Sequence, residues 1–171
     1  MANITVNTTG TQPTLLVSTD LISNSANWGN IANTLSVTCL QDVTVTNSTG
    51  IFSWTDFCST DINKITTPSD NEISTNIVID PVGFFGTDSG NVLANATAQG
   101  IAGLNNNKVK VQFKLIINGG NSTPNAYYYA GQGYISSVAP TVSPDSPVWV
   151  SPMSIAVTGS MVTDQNPPPG P

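Results

Sequence analysis

Hydrophobic and polar residues alternate most strictly in residues 108–115, the sequence Lys-Val-Lys-Val-Gln-Phe-Lys-Leu. This two-residue period is typical of a half-buried β-strand. The sequence Asn-Gly-Gly-Asn at 118–121 predicts a turn, because Gly and Asn tolerate positive φ. Residues 127–138 are rich in β-forming side chains and predict a returning strand. After three prolines, alternation in residues 151–162 predicts a closing strand.

The rest of the chain shows shorter runs of the same kind. Strands are predicted at residues 14–18, 35–46, 51–57 and 73–81, with a turn at 47–50 and a long loop at 59–71. Asp88 or Ser89 is a candidate N-cap for the single predicted helix, residues 91–104.

These elements predict a mainly β fold, in which two packed antiparallel sheets form a sandwich or barrel with one α-helix. One domain is expected to span residues 1–163. The Pro-rich residues 164–171 are expected to form a disordered tail.

The composition excludes several classes of chemistry. Only 8% of the residues are charged, and the chain has no His, no Arg and a single Glu. General acid–base catalysis near neutral pH most often uses His, so a His-based triad is impossible, and so is a bidentate Arg clamp. Two Cys without His offer no zinc ligand set. We therefore expect a protein that is not an enzyme, with no catalytic residue, cofactor or metal.

The net charge of −6 does not favour a surface that grips nucleic acid, which normally needs a basic patch. Three of the four lysines, Lys108, Lys110 and Lys114, share one face of the predicted strand. They form either a solvated strand face or an ion-pair stripe towards an acidic neighbouring chain. We predict that they lie at a subunit interface.

Cys39 and Cys58 are placed symmetrically about the predicted turn at 47–50. A simple hairpin would set them opposite each other, close enough for a disulfide. Two reduced thiols that pack as small hydrophobes are the other interpretation. Residues 1–10 lack a basic start and an apolar run, and no segment is long and apolar enough to span a membrane, so we expect synthesis in a cytosol.

The order of the predicted elements resembles that of the tail tube proteins of long-tailed bacteriophages. In that family, a strand-rich N-terminal half with a long loop precedes a strand, a helix, a hairpin and a closing strand. The matching pieces here are residues 73–80, 91–104, 108–117, 127–138 and 151–162. The most similar stretches are Gly133-Tyr134-Ile135-Ser136-Ser137-Val138 and Ser154-Ile155-Ala156-Val157-Thr158-Gly159.

The resemblance implies a structural protein of the virion, assembled in the host cytoplasm. Copies of the chain would form hexameric rings, and the rings would stack into a hollow tube that delivers the genome into the host cell. Other tail proteins would be its partners, namely the tape measure, the terminator, the baseplate and, in some tails, a sheath. DNA would pass through the lumen without tight binding, and no membrane is involved.

The resemblance also assigns a role to the predicted loop at residues 59–71, because the corresponding loop of the family reaches the adjacent ring. The candidate inter-ring residues here are Asp61, Lys64, Pro68 and Asp70. The charges of Asp61, Lys64 and Asp70 are suited to ion-pair contacts with a neighbour.

Two other classes of function remain open from the sequence. One is a different virion component, such as a capsid decoration protein or a baseplate protein. The other is a monomeric β-sandwich binding module. A tube subunit forms rings or filaments when purified, whereas a binding module stays monomeric.

Overall fold

The computed structural model describes residues 12–37, 39–55, 61–87, 95–118, 126–144 and 148–166. The strands in these ranges are β1 Thr14–Ser18, β2 Leu35–Val37, β3 Leu40–Trp54, β4 Asn63–Val78, β5 Lys110–Ile116, β6 Tyr127–Val138, β7 Val150–Val157 and β8 Val162–Gln165. The helices are α1 Pro81–Phe85 and α2 Ala96–Asn106, with a 3-10 turn at Ser25–Asn27. The mainly β prediction is confirmed, although α1 adds a second helix to the one expected.

The strands form one antiparallel sheet in the order β2-β1-β5-β6-β7-β4-β3, and β8 also pairs with β6. β2 and β3 lie at the two ends of this order, yet only two residues separate Val37 from Leu40 in the sequence. Three residue steps span at most about 11 Å. The sheet therefore curls so that the end of β2 and the start of β3 come close, while the edge of β3 pairs with no described strand other than β4. Of the expected sandwich or barrel, the described strands form an open barrel of one sheet rather than two separate sheets.

The barrel interior is the main hydrophobic core. Each strand from β1 to β7 contributes alternate side chains to it, and these include Leu15, Val17, Leu40, Ile73, Ile77, Val111, Phe113, Ile135, Met153 and Ile155. The helices add Phe84, Ile101 and Leu104. In the parts of these strands that lie in the barrel wall, a period of two places one side of the strand in this core, which is why the strictly alternating segment at 108–115 was predicted well.

A second, smaller core covers the outer side of β1, β5 and β6. Leu16, Ile116 and Tyr128 face outward from these strands and pack in one cluster with Trp28 and Ile31. The indole Nε1 of Trp28 donates a hydrogen bond to the carbonyl oxygen of Ile22 at 2.8 Å. The segment between β1 and β2 is therefore fastened over this part of the sheet by an apolar anchor.

The predicted turn at residues 47–50 is wrong, because β3 runs through it without a break. β3 pairs with β4 from Leu40 opposite Ile77 to Trp54 opposite Asn63. A register shift between Ser48 and Gly50 accommodates the turn-forming residues as a bulge. Backbone pairing with β4 outweighs the local turn preference. For the same reason, residues 63–71 of the predicted loop are strand.

The predicted helix also begins later than its N-cap candidates indicated. Asn95 caps α2, since its Oδ1 accepts a hydrogen bond from the backbone N–H of Ala98 at 2.9 Å. Residues 88–94, which include both candidates, lie outside the described residues. Asp80 caps α1 in the same way, with its Oδ2 accepting from Gly83 N at 2.8 Å.

The closing strand is interrupted once and extends beyond the predicted domain end. β7 pairs with β6 up to Val157 opposite Gly133, and β8 resumes with Val162 opposite Ala130. Asp164 lies in β8 rather than in a tail, because it pairs with Tyr128. Residues 119–121 of the predicted turn and residues 167–171 of the predicted tail lie outside the described residues.

We expect that Gly100→Ala destabilises the fold more than Gly159→Ala does. Both glycines have positive φ, +65° and +84°. A Cβ on Gly100 would lie 2.4–2.7 Å from backbone atoms of Phe84, Phe85 and Gly86, whereas nothing lies within 4 Å of a Cβ on Gly159. The crowding adds about 1–3 kcal/mol to a backbone cost shared by both variants. Urea unfolding of unassembled protein measures the difference, and equal losses would contradict the crowding.

Candidate assembly surfaces

The β3–β4 pair leaves the sheet at Asn71. There Asn71 pairs with Val157 of β7, and its Nδ2 donates to the carbonyl oxygen of Gly159 at 3.2 Å. Beyond this point β3 and β4 pair with each other alone among the described strands. We call this extension, residues 48–55 and 61–70 of those described, the arm. From Ser48 to Trp54 it projects about 20 Å, at about 3.3 Å per residue.

One face of the arm carries exposed apolar side chains. Phe52 lies opposite Ile65, and Trp54 follows two residues after Phe52 on the same face. Phe52 is 58% exposed, Ile65 is 55% exposed and Trp54 is 42% exposed. The rings of Phe52 and Trp54 are stacked, with centroids 6.0 Å apart. We call these three side chains the apolar arm face. A two-stranded ribbon with an uncovered apolar face is typical of an interaction site.

The two outer edges of the arm differ in protection. β3 is the last strand of the sheet order, and its 15 residues contain no Lys and no Pro, with Asp42 as the sole charge. The β4 edge carries Lys64 and Pro68. Lys and Pro are devices that block strand addition at exposed edges. The β3 edge is therefore the one suited to accept a strand from another chain.

A polar face lies on the outer side of β7, β4 and β3. Ile73 of β4 and Ile155 of β7 point into the core. The residues directly before and after each of them along its strand therefore point outward. Cross-strand neighbours on this face are small or acidic, and include Thr44, Ser74, Ser154, Thr46, Glu72 and Ala156. We call this surface the polar sheet face. It offers hydroxyl groups and negative charge, with no lysine from these three strands on this part of the sheet.

The candidate inter-ring residues lie on or beside the arm. Lys64, Pro68 and Asp70 belong to β4, and Asp61 precedes that strand. Phe52, Trp54 and Ile65 were not among the predicted site residues. Phe52 and Trp54 lie in the strand predicted at 51–57, and Ile65 lies in the loop predicted at 59–71. Burial depends on what covers a strand, and alternation alone does not show that.

The three strand lysines do not form one stripe. Lys114 is buried, and its Nζ donates to the carbonyl oxygen of Gly29 at 2.9 Å and to Oδ1 of Asn166 at 2.8 Å. It also lies 4.4 Å from the ring centroid of Tyr128. Lys114 therefore ties the segment before β2 and the end of β8 to β5. The prediction that it faces a neighbouring subunit is wrong, because parts of its own chain cover that face.

The other two lysines are accessible. Lys108 is exposed in the turn before β5, with φ of +51°, and Lys110 begins β5 opposite Tyr134. Their predicted place at a subunit interface stays a prediction.

Burial shifts the pKa values of Lys114 and of the neighbouring Tyr128. Desolvation lowers the pKa of Lys114 below its ordinary 10.5. Burial, and after it the charge and hydrogen bond of Asp164, raises the pKa of Tyr128 above 10.0. The folded Lys114 releases its proton at lower pH than the unfolded one, so this group makes stability rise as pH approaches 10.5. Tyr128 has the opposite effect above pH 10, because the folded state keeps its proton.

Cys39 is exposed, has φ of +62° and is a free thiol. Cys58 lies outside the described residues. The turn that was to bring Cys39 opposite Cys58 is absent, so the geometric reason for a disulfide no longer holds. Among the described residues no group of three or more His, Cys, Asp or Glu is placed to hold a metal. None of the described helices is long and apolar enough to cross a membrane.

We expect Lys114→Ala to destabilise the fold by about 2–4 kcal/mol, because it leaves buried acceptors of Gly29 and Asn166 without this donor. The matched control is Lys110→Ala on the same strand, which should change stability by no more than about 0.5 kcal/mol. Urea unfolding measures both variants. Equal effects would show that the Lys114 contacts contribute nothing beyond those of a surface lysine.

No family model matches the chain, and no curated protein matches its sequence. Solved structures do match its fold. A chain from the tail of an empty gene transfer agent particle, refined with C6 helical symmetry, has a TM-score of 0.57 at 14% identity. The match covers 88% of this chain and 95% of that one.

Two further structures match over similar lengths. The SPP1 tail tube has a TM-score of 0.57 at 12% identity, covering 92% of this chain and 79% of that one. A chain of the sheath-tube complex of an extracellular contractile injection system has a TM-score of 0.55 at 11% identity, covering 91% and 89%. Identities this low bear on the fold alone. The fold of this chain is therefore similar to that of chains from phage-type tails and from the tube of a contractile injection system.

Proposed function

We propose that the chain is the main subunit of a phage-type tail tube. In this proposal six copies close a ring, and rings stack into a hollow tube through which the genome passes into the host cell. The observation that carries it is the unprotected edge of β3, which continues into the arm, on a chain with this fold. A strand edge of this length without Lys or Pro is an aggregation hazard in a monomer and is resolved when a neighbour covers it.

Ring closure follows from the kind of contact that an open edge makes. The β3 edge of one copy meets a different surface of the next copy, so the contact is head-to-tail. A head-to-tail contact closes a ring when its rotation returns to the start. The β3 edge of each copy is then covered, and the sheets of neighbouring copies join into one closed sheet around the ring without an exposed edge.

The polar sheet face is the surface that we assign to the lumen. This face offers DNA Glu72 and hydroxyl groups, and Lys64, which is the one lysine of β7, β4 and β3, lies in the arm. Affinity for DNA comes mainly from Lys and Arg contacts with phosphates. An acidic wall repels the phosphates, so the genome slides without tight binding. Lys108 and Lys110 then lie at subunit contacts.

The proposal places the protein in the virion, with assembly in the host cytoplasm. Its partners are further copies of itself and the proteins at the two ends of the tube, a terminator and a baseplate. A tape measure inside the tube and, in a contractile tail, a sheath outside it complete the set. One similar structure is a sheath/tube terminator of a contractile injection system, and its fold match supports this arrangement.

A second candidate function is a ring-forming baseplate component. A chain of the anti-feeding prophage baseplate, symmetrised six-fold, matches with a TM-score of 0.55 at 8% identity and covers 96% of this chain and 97% of that one. In this second candidate function, the rings would not stack into a tube, whereas a tube subunit would form long stacks of rings.

We expect purified protein to form hollow tubes with six-fold rings at high concentration. Electron microscopy with class averages down the tube axis measures the symmetry and the length. Short rings that never elongate would support the baseplate candidate. A monomer at all concentrations, checked by analytical ultracentrifugation, would contradict both and favour a binding module.

We expect assembled tubes to show no tight binding of duplex DNA, and two lysines on the polar sheet face to create it. Thr44→Lys with Ala156→Lys adds two positive charges to that face. The control, Leu21→Lys with Ala32→Lys, adds the same charge to exposed positions before β2. Retention of DNA by the first variant, falling steeply with added salt, is expected because phosphate contacts release counterions. Equal retention by both variants would contradict the lumen assignment.

A further inference from the structure

Lys114 of β5 and Asn166, the residue after β8, form a buried pair of side chains. Lys114 is 3% exposed and Asn166 is 5% exposed. The Nζ atom of Lys114 lies 2.8 Å from Oδ1 of Asn166. All four lysines of the chain are among the described residues, and Lys114 alone is buried. The fold therefore holds an amine against a side-chain amide, away from bulk water.

Both side chains are also fixed by other contacts. The backbone N–H of Asn166 donates to the carbonyl oxygen of Ala126 at 2.9 Å. The Nζ atom of Lys114 donates to the carbonyl oxygen of Gly29 at 2.9 Å and lies over the ring of Tyr128. Two groups that are held in contact react much faster than the same groups free in solution, because the entropy of bringing them together has already been lost.

The buried amine and the amide carbon are a nucleophile and an electrophile. Lysine attacks carbonyl carbon as the neutral amine, and desolvation favours that form. Desolvation by burial lowers the pKa of Lys114, so its amine is neutral more often than that of an exposed lysine. The carbon Cγ of Asn166 is bonded to the Oδ1 atom that Nζ contacts, so a small rotation of the side chains brings Nζ to Cγ.

We propose that Lys114 and Asn166 react with each other in the folded chain and form an isopeptide bond. Nζ attacks Cγ, the Nζ–Cγ bond forms, and the Cγ–Nδ2 bond breaks. The attacking amine gives up one proton and the leaving nitrogen takes one up, so the second product is ammonia. The hydroxyl of Tyr128 and the carboxylate of Asp164 are hydrogen-bonded to each other beside Lys114, and they can carry this proton. The step needs no oxidant and no cofactor.

The bond would close a covalent loop from residue 114 to residue 166, which contains β6, β7 and β8. A cross-link that closes a long loop stabilises a fold mainly because it restricts the unfolded chain. A disulfide has the same effect but is rare in reducing compartments, whereas an amide bond is not reduced. This inference goes beyond the proposed function, because it requires only that the chain folds.

The intact mass of the unchanged protein tests the proposal directly. Folded full-length protein, sampled over several days at neutral pH, should become lighter by about 17 Da, the mass of the ammonia released. Trypsin should then fail to cleave after Lys114 and should release residues 111–171 as one piece. A chymotryptic digest should contain a branched peptide that joins Lys114 to Asn166. An unchanged mass in protein shown to be folded by circular dichroism would overturn the proposal.

Lys114→Arg and Asn166→Ala should each abolish the loss of mass. The matched control is Lys110→Arg on the same strand, which should lose ammonia like the unchanged protein. Cyclisation of an asparagine before a glycine, as at Asn118, releases the same mass. That loss would persist in Lys114→Arg and would leave Lys114 open to trypsin, and this result would overturn the isopeptide bond. If a variant fails to fold, the tryptic and chymotryptic peptides of the unchanged protein decide.

The assembly experiments are independent of this one. A chain that forms neither rings nor tubes but carries the bond would contradict the proposed function and support the isopeptide inference. Tubes built from subunits of full mass would do the opposite.

Discussion

The antiparallel pairing of β3 with β4 is the interaction on which the architecture depends. Its first half belongs to the barrel wall, where Ile73 and Ile77 of β4 are buried in the core. Its second half continues the same hydrogen-bond ladder beyond the sheet as the arm. A two-stranded ribbon alone is marginally stable in water. The buried half fixes the register, and the register carries the exposed half outward in one defined orientation.

The point where the two halves meet is set by β7. Its pairing with β4 stops at Asn71, and the interruption around Gly159 lets β8 pair with β6 alone. The amide of Asn71 bonds to Gly159 at that fork. Without the interruption, the same strand would extend along β4 and cover the edge of the arm. The local break in β7 and β8 therefore decides how much of the β3–β4 pair stays available for another chain.

The elements predicted best from the sequence are those that have one side in the core. The sequence of β5 alternates, and the barrel interior takes every second side chain of this strand, Val111, Phe113 and Leu115. The turn at 47–50 failed because a turn preference is local, whereas the pairing of Ser48 with Asp70 spans more than twenty residues. A sequence window of that kind contains no information about a partner strand so far away.

The predictions of site residues were limited for a related reason. Alternation shows on which face Lys114 lies, but it does not show that Gly29 and Asn166 cover that face. The same gap hid Phe52 and Trp54, whose pattern matches a core strand although no other strand covers them in the described structure. Alternation shows which side chains share one face of a strand, and the arrangement of the strands decides whether that face is buried. In the arm, the sequence pattern is that of a buried face, but the face is exposed.

The unusual composition of the chain is consistent with the exposed arm. A monomer with 8% charged residues and an uncovered aromatic arm has poor protection against association. In an assembly the same features are favourable, since every charge removed from a subunit contact is one less ion to desolvate. Lys64 and Pro68 block the β4 edge, which leaves the β3 edge open, and Glu72 keeps the polar sheet face from holding anions. In the proposed tube, the chain therefore specifies its neighbours mainly by leaving some surfaces unprotected.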